Sequence, residues 1–412
     1  MKAYICAQCK GVRRLCGRSR CPILERIRAH IDLYALIDFD SLTTLDNPTP
    51  PSIVVGEYGW PRVSVSLNVS ATNNVNVREL DSPEEWWGKR SIEDIIRFRS
   101  MLISSTSKFN VKQASNPNRL LSNIQEAVLS TIPIEVEVEY EKPPKPRLLF
   151  DGIVEPVGPS GPIKYLTPAE NPKTLKVIER IIYDYDVKAS NAMLELYTHG
   201  VSLYHIIRLL SMGLLGRLKD RRIVPTRWSI TAVDATISSH LLSKVKEFKE
   251  IGEIRVYHTE YIGNRYAIIM IPDCWTFEMI EVWLPKSVWV KEGEPYFNVI
   301  YELYDGKVRG PMDGGYYAIR LPILEYLHKV RRQACVIVIR VITRDYYAPV
   351  GVWQVRESIR NALKDKPKVF DDFVEAFRYA CMKVGMDSKL ILKRSYVAKN
   401  ILFQKKLIQF LF

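Results

Sequence analysis

Several features common in enzymes and membrane proteins are missing from this chain of 412 residues. No apolar run approaches the roughly 18–20 residues that a membrane-spanning helix needs. The N-terminal MKAYICAQCK has no apolar segment of the kind found in secretory signals. The chain also has no P-loop, and GPSGPI is not a nucleotide-binding fingerprint. We therefore expect a soluble, cytoplasmic protein without a membrane partner.

Histidine is scarce, and its spacing excludes the common histidine-based metal motifs. The chain has six histidines, and no H-x-x-x-H or H-E-x-x-H spacing occurs among those of the folded body: His199, His205, His240, His258 and His328. We predict that each of these five has a structural or surface role.

The composition is that of an ordinary globular protein, with 47% hydrophobic and 25% charged residues. At roughly 100–200 residues per domain, we expect two or three domains. The net charge of +13 lies entirely at the two ends: residues 1–30 carry +7, residues 388–412 carry +6, and the rest is neutral. Basic arms of this kind bind DNA by counterion release, and a nucleoid-associated location follows. The alternative is that they only aid solubility.

Four of the seven cysteines fall within the first 21 residues, in a C-x2-C-x6-C-x4-C pattern. Two thiolate pairs of this kind can share one tetrahedral zinc ion, so we predict a structural zinc site at Cys6, Cys9, Cys16 and Cys21. Disulfides are the weaker alternative in a chain without an export signal. The other three cysteines lie in apolar stretches and are predicted to be buried thiols: Cys274, Cys335 and Cys381.

The chain ends in a pattern of the kind that docks replication and repair proteins on a sliding clamp. Its residues are Gln404, Leu407, Phe410 and Leu411, which match Q-x-x-h-x-x-a-a except that Leu411 stands where an aromatic is usual. Offsets of three and four place the three apolar side chains on one side of a helical turn, with Gln404 at the edge. We predict a clamp-binding (PCNA-binding) tail. The alternative is a last turn packed on the protein's own core.

The patterning along the body predicts a mixed α+β fold. Residues 53–69 read as strands broken at Gly59 and Pro61, and residues 82–103 read as a helix capped by Ser82. IPIEVEVEYE at 132–141 alternates strictly and predicts a half-buried strand. Proline and glycine at 151–172 predict a long loop.

These features divide the chain into four predicted regions. A zinc module occupies residues 1–30, and a mixed α/β region occupies 31–150. The main α+β region, at 151–387, contains the segment RRIVPTRWSITAVD, and a basic, flexible tail with the clamp peptide occupies 388–412.

Residues 217–234 are the densest candidate for a functional site. Arginines beside an aromatic side chain suit phosphate clamping with base stacking, so we predict nucleic-acid binding by Arg221, Arg222, Arg227 and Trp228. Asp234 is the one acid near them that we consider catalytic, as a base or metal ligand beside Arg227. The loop at 151–172 could form an opposite wall. The alternative is a solvated basic helix end.

Two weaker alternatives rest on short patterns. The glutamates of strand 132–141 could bind divalent cations for phosphodiester cleavage, although a solvated sheet face looks the same. Ser105-Thr106-Ser107 with Glu137-x-Glu139 faintly resembles the motif of ADP-ribosyltransferases.

Taken together, these segments resemble the archaeal Nre family of DNA-repair proteins. The resemblance is carried by the cysteine segments, by Gly158-Pro-Ser and Glu170-Asn-Pro172, by Arg222–Asp234, and by the terminal peptide, so it covers essentially the full length. It implies a role in repair of damaged DNA and docking on the sliding clamp, and it transfers no catalytic residue. The open alternatives are an enzyme acting on damaged DNA and a non-catalytic adaptor that binds DNA and clamp together.

Overall fold

The computed structural model describes Cys9, Leu15, residues 20–35, 37–146, 158–287, Val290 and residues 293–403. The chain forms two compact units that divide between Ile237 and Ser238. This division falls inside the region predicted as 151–387. Each unit has its own β-sheet, and thirteen α-helices surround the sheets in the described residues, which confirms the α+β class.

The first unit contains a six-stranded sheet in the order β1-β5-β6-β4-β3-β2. Its strands are β1 (Thr44–Thr49), β2 (Ser52–Val55), β3 (Arg62–Ser70), β4 (Leu102–Asn110), β5 (Ile134–Tyr140) and β6 (Ser160–Pro168). Its helices are α1 (Pro22–Tyr34), α2 (Pro83–Trp86), α3 (Ile92–Ser100), α4 (Arg119–Leu129), α5 (Lys176–Tyr183), α6 (Ala189–Thr198) and α7 (Leu203–Ser211). Helix α8 (Thr226–Val245) begins in this unit and ends in the second.

The first sheet curls until its two edges approach. Strands β1 and β2 lie at opposite ends of the strand order, yet only Pro50 and Pro51 connect them. Side chains of β1 reach β3, the neighbour of edge strand β2, without a ladder: Asn47 donates to the carbonyl of Ser70 at 2.9 Å, and Thr49 donates to that of Asn68 at 2.7 Å. Closure of this kind protects sheet edges that would otherwise be unpaired.

The glutamate strand is observed as predicted, but the loop prediction is wrong for residues 160–168. Strand β5 buries alternate side chains, as its sequence pattern requires. Strand β6 pairs with β4 and β5 in a segment that proline and glycine marked as irregular. At Gly161 an added Cβ would lie 2.8 Å from the ring of Tyr140, so glycine is needed there for close packing and not for a turn.

The helix predicted from Ser82 is also wrong in its bounds. The structure has two short helices, α2 and α3, and β4 already begins at Leu102. The capping residue of α3 is Ser91, which accepts the N–H of Asp94 at 3.1 Å while the Asp94 carboxylate accepts the N–H of Ser91 at 2.9 Å. Ser82 instead donates its hydroxyl to the carbonyl of Arg78 at 2.6 Å.

The second unit contains a seven-stranded sheet in the order β11-β10-β9-β12-β8-β7-β13. Its strands are β7 (Ile254–Tyr261), β8 (Asn264–Ile271), β9 (Thr276–Trp283), β10 (Tyr296–Glu302), β11 (Val308–Arg309), β12 (Cys335–Ile342) and β13 (Lys368–Phe370). Its helices are α9 (Gly314–Val330), α10 (Trp353–Ala362), α11 (Phe373–Val384), α12 (Ser388–Arg394) and α13 (Tyr396–Phe403). Every residue of the central strand β12 is buried.

The segment predicted as a flexible tail from residue 388 is folded as far as residue 403. Val397 and Ala398 of α13 lie in the hydrophobic core with strands of the sheet. The buried carboxylate of Glu278 on β9 accepts the N–H of Tyr396 at 2.6 Å and also accepts the hydroxyl of Ser395. Burial raises the pKa of Glu278, although these hydrogen bonds oppose the shift. The basic charge at 388–403 therefore lies on packed helices. Of the predicted tail, only residues 404–412 fall outside the described part.

Candidate nucleic-acid interface

The turn between β2 and β3 presents two aromatic side chains to solvent. Tyr58 is 88% exposed and Trp60 is 49% exposed. Gly59, between them, has a φ of +87°, which side chains rarely adopt, and its carbonyl accepts the N–H of Arg62 at 2.8 Å. This hydrogen-bonded turn keeps the side chains of Tyr58 and Trp60 at the surface.

The start of α8 lies directly beside this turn. The hydroxyl of Thr226 accepts the N–H of Val55 at 2.8 Å, which fixes the first turn of α8 to the end of β2. Trp228 is 47% exposed, and its ring centroid lies 5.3 Å from that of Trp60. We call Tyr58, Trp60, Arg62, Arg227 and Trp228 the aromatic surface.

Arg227 gives the aromatic surface a positive charge at its edge. The side chain is 81% exposed, and its only described acidic neighbour is Glu57, at 3.6 Å. An exposed pair at that distance is worth little, so the guanidinium remains able to exchange Glu57 for a phosphate. Exposed rings beside such an arginine can stack bases of a single strand while the arginine binds the backbone.

The other two predicted nucleic-acid-binding arginines have different surroundings. Arg221 is buried and donates to the carbonyls of Gly216 at 2.9 Å and Ile182 at 2.7 Å. Arg222 is partly buried and donates to the carbonyl of Lys219 at 3.0 Å. Both guanidiniums hold the loop before α8 in shape, which accounts for two of the positive charges in this segment.

The structure does not bring Arg227 and Asp234 together. Asp234 lies within α8 and has no exposed surface. The two residues are seven positions apart, which is about 10 Å along a helix at 1.5 Å per residue. An acid–base pair of these two side chains is therefore not assembled, and Arg227 faces Glu57 instead.

A cleft of about 170 Å³ lies elsewhere in the first unit. It is lined by segments distant in sequence: the Pro50-Pro51 turn, residues near Asp81, and the start of α7 with Ser202 and His205. Sequence reasoning missed this cleft, because no local pattern links those segments. Residues 158–172, the described part of the predicted loop, do not contribute to its lining.

A buried carboxylate organises one wall of the cleft. Asp81 lies 2.9 Å from the guanidinium of Arg99 and 3.4 Å from that of Arg208. Burial alone would raise the pKa of Asp81, but the two arginines together hold it below its ordinary value. Asp81 is therefore ionised at neutral pH and fixes Arg208 at the cleft.

His205 is the least expected side chain in the cleft. It is only 5% exposed, and its Nε2 atom has no hydrogen-bond partner among the described residues. Burial, with a smaller contribution from the positive charge of Arg208, lowers its pKa to about 3. His205 is therefore neutral at pH 7, and it lines the cleft with a ring whose buried Nε2 atom has no partner among the described residues.

The two weaker sequence alternatives gain no geometric support. Glu139 of β5 pairs with Lys164 at 2.7 Å, as a solvated sheet face would. In the described ranges no group of three or more histidine, cysteine or acidic side chains could hold a metal ion. Ser105 is buried, and its hydroxyl shares a hydrogen bond of 2.9 Å with that of Tyr140.

The predicted zinc ligands fall partly outside the described residues, which include Cys9 and Cys21 but not Cys6 or Cys16. Cys9 and Cys21 form no disulfide, and the Cys9 sulfur accepts the N–H of Leu15 at 3.4 Å. Of the three thiols predicted to be buried, Cys335 and Cys381 are buried, whereas Cys274 is exposed.

Gln404, Leu407, Phe410 and Leu411 lie outside the described residues, immediately after the end of α13. No helix in the described part of the chain is long and apolar enough to cross a membrane.

Comparison with known proteins identifies relatives over nearly the whole chain. The family model for archaeal Nre, N-terminal, matches residues 15–290, and that for archaeal Nre, C-terminal, matches residues 302–410. The DNA repair protein NreA of Archaeoglobus fulgidus is 39% identical over 385 residues, covering 93% of this chain and 95% of that protein. NreB of the same organism is 33% identical over 396 residues, covering 96% and 97%. NreA of Haloferax volcanii is 34% identical over 375 residues, covering 89% of each.

No solved structure matches the chain. Two family models match in sequence order, and the three relatives align over 89–96% of the chain. The chain belongs to the archaeal Nre family.

Proposed function

We propose that this protein acts in DNA repair by binding single-stranded segments of damaged DNA on the aromatic surface, and that its terminal peptide recruits it to a sliding clamp. The observation that carries the DNA-binding part is the pairing of Trp60 with Trp228 beside the exposed Arg227. The relatives' names, DNA repair proteins, support the process.

The physical argument for DNA binding is that Trp60 and Trp228 are exposed although folding alone does not require it. Exposed tryptophans are costly in water unless a partner covers them, and two from separate segments meet here. Base stacking on an aromatic side chain contributes about 1–3 kcal/mol per base and tolerates any sequence. This tolerance suits a protein that must act on lesions at many sites.

The clamp peptide supports recruitment, because its apolar residues match a helical turn that fits a surface pocket. The chain is anchored on the second unit up to Phe403, so a peptide that starts at Gln404 extends from a fixed point. Weak contacts with DNA and clamp would reinforce each other through a high effective concentration. The chain would then act as an adaptor whether or not it also carries a reaction.

Zinc is a further part of the proposal. Cys6, Cys9, Cys16 and Cys21 would hold the ion, which would stabilise the fold of the basic N-terminal segment. The N–H of Leu15 that points to the Cys9 sulfur fits a thiolate ligand, since such hydrogen bonds orient metal-bound thiolates.

The DNA-binding test is fluorescence anisotropy with a labelled single-stranded oligonucleotide. We expect Trp60→Ala and Trp228→Ala each to weaken binding about 5- to 150-fold, the factor that corresponds to one stacked base. Tyr183→Ala is the matched control, because Tyr183 is 72% exposed but lies at the end of α5. Equal affinities of all three variants and the parent would refute the aromatic surface as the DNA site.

The clamp test is co-elution with a sliding clamp in gel filtration. Leu407→Ala combined with Phe410→Ala should abolish co-elution. Phe403→Ala is the control, since this side chain is 75% exposed and stands just before the peptide. Unchanged co-elution of the double variant would remove the peptide assignment while leaving the DNA-binding proposal intact.

A further inference from the structure

The cleft in the first unit has an unusual lining for a surface pocket. Its lining combines apolar residues, Pro50, Pro51 and Ile132, with residues that carry hydrogen-bonding groups. Its volume is about 170 Å³, which leaves room for a flat ring system of one or two rings.

The polar residues of the lining offer both donors and acceptors. Arg208 donates and is held in place by Asp81, while Glu84 accepts. Ser202 adds a hydroxyl at the start of α7. Such a mixture matches the edge of a neutral heterocycle, which presents donors next to acceptors.

His205 is the lining residue with an unsatisfied polar atom, since its Nε2 has no partner among the described residues. A ring nitrogen that is almost fully buried without a partner costs free energy, and a neutral imidazole can either donate or accept one hydrogen bond. Two carboxylates, Asp81 and Glu84, and two guanidiniums, Arg78 and Arg208, line the cleft, so their charges balance. The occupant should therefore be polar at its edge, apolar on its faces and uncharged.

The position of the cleft connects it with the aromatic surface. Both lie in the first unit, at opposite ends of β2, and that strand of four residues spans roughly 10 Å. This corresponds to about three stacked nucleotides of one strand. Val54, between the two ends, is 42% exposed, so the strand's surface is open along the way.

We propose that the cleft lined by His205, Arg208 and Ser202 binds a single unpaired nucleobase, taken out of the stack of a DNA strand that lies on the aromatic surface. The inference rests on the proposed DNA-binding function for its biological source of bases. The binding of the base itself depends only on the cleft.

The test uses saturation-transfer NMR with the full chain and the four deoxynucleosides as probes. A Trp60→Ala/Trp228→Ala background removes stacking on the aromatic surface. We expect base-proton signals from at least one nucleoside, and Ser202→Tyr, which fills the mouth of the cleft, should reduce them about tenfold or more. Ser190→Tyr is the matched control, an exposed serine on α6 away from the cleft.

A second variant separates binding from folding. His205→Phe keeps a ring of similar size and removes the unsatisfied nitrogen, so the protein should be as stable as the parent or more stable at pH 7, yet lose the nucleoside signals. His199→Phe, at an exposed histidine three positions before Ser202, should keep them. Absence of base-proton signals in the starting background, or equal signals in Ser202→Tyr, would overturn the proposal.

The two proposals fail separately. If the chain does not bind an oligonucleotide but still shows nucleoside signals that Ser202→Tyr removes, the DNA-binding function is wrong and the cleft assignment holds. If oligonucleotide binding depends on Trp60 and Trp228 but no nucleoside signal depends on the cleft, the DNA-binding function holds and the base pocket is wrong.

Discussion

The buried histidine predicts a specific loss of stability in acid. His205 has a folded-state pKa of about 3, lowered first by burial and then by Arg208. In the unfolded chain an ordinary histidine has a pKa of about 6.5. The unfolded state therefore binds a proton as the pH falls below about 6.5, while the folded state does not until about pH 3. Stability from this residue is present at pH 7 and is lost between these two values.

The size of the effect follows from linkage. Each pH unit inside this window costs up to about 1.4 kcal/mol, so the first unit should lose about 2 kcal/mol between pH 7 and pH 5. For a folding unit of this size, about 2 kcal/mol corresponds to a fall in Tm of roughly 4–8 °C.

Differential scanning calorimetry at pH 7 and pH 5 measures this loss. Other acid-sensitive groups contribute equally to parent and variant, so the quantity to compare is the difference between them. His205→Phe should recover about 2 kcal/mol of the acid loss, and His199→Phe should recover none. Equal pH dependence of the parent and His205→Phe would refute a buried, neutral histidine at this position.

Three further outcomes test other parts of the structure. Asp81→Asn removes the counterion of two largely buried arginines and should cost about 3–5 kcal/mol in urea unfolding; a cost below about 1 kcal/mol would show that the pair is solvated. Glu278→Leu leaves the first donors of α13 without an acceptor, so it should cost roughly 2–3 kcal/mol and expose the C-terminal helix to limited proteolysis, detected by mass spectrometry; an unchanged cleavage pattern would contradict the anchoring role. Metal analysis should find about one zinc per chain in the parent and in Cys274→Ser but not in Cys9→Ser; equal zinc in all three would contradict the cysteine site.

The parts of the fold that the sequence predicts well have a local physical signal. The alternation at 132–141 and the broken strand pattern at 53–69 require only that one face of each strand is buried. Strand β6 could not be found in this way. Its glycine is explained by the ring of Tyr140, which comes from another strand and is visible only once the sheet exists.

The candidate site shows the same limit. Arg227 and Trp228 stand out because aromatic and basic residues are adjacent in sequence, and both are exposed in the structure. Their partner Trp60 lies far away in the chain, so the pairing could not be read from either segment alone. His205 has no motif around it, and only its burial beside a cleft marks it. Asp234 stands out as an acid in a basic segment, a signal that carries no information about burial.

The most direct measurement of the central claim is photo-cross-linking of the full chain to a single-stranded oligonucleotide that carries 5-bromodeoxyuridine at each position in turn. Mass spectrometry then identifies the modified side chains. Stacking on the aromatic surface predicts adducts at Trp60 and Trp228, because cross-links form between rings in contact with the base. Adducts confined to other segments of the chain, with both tryptophans unmodified, would contradict it.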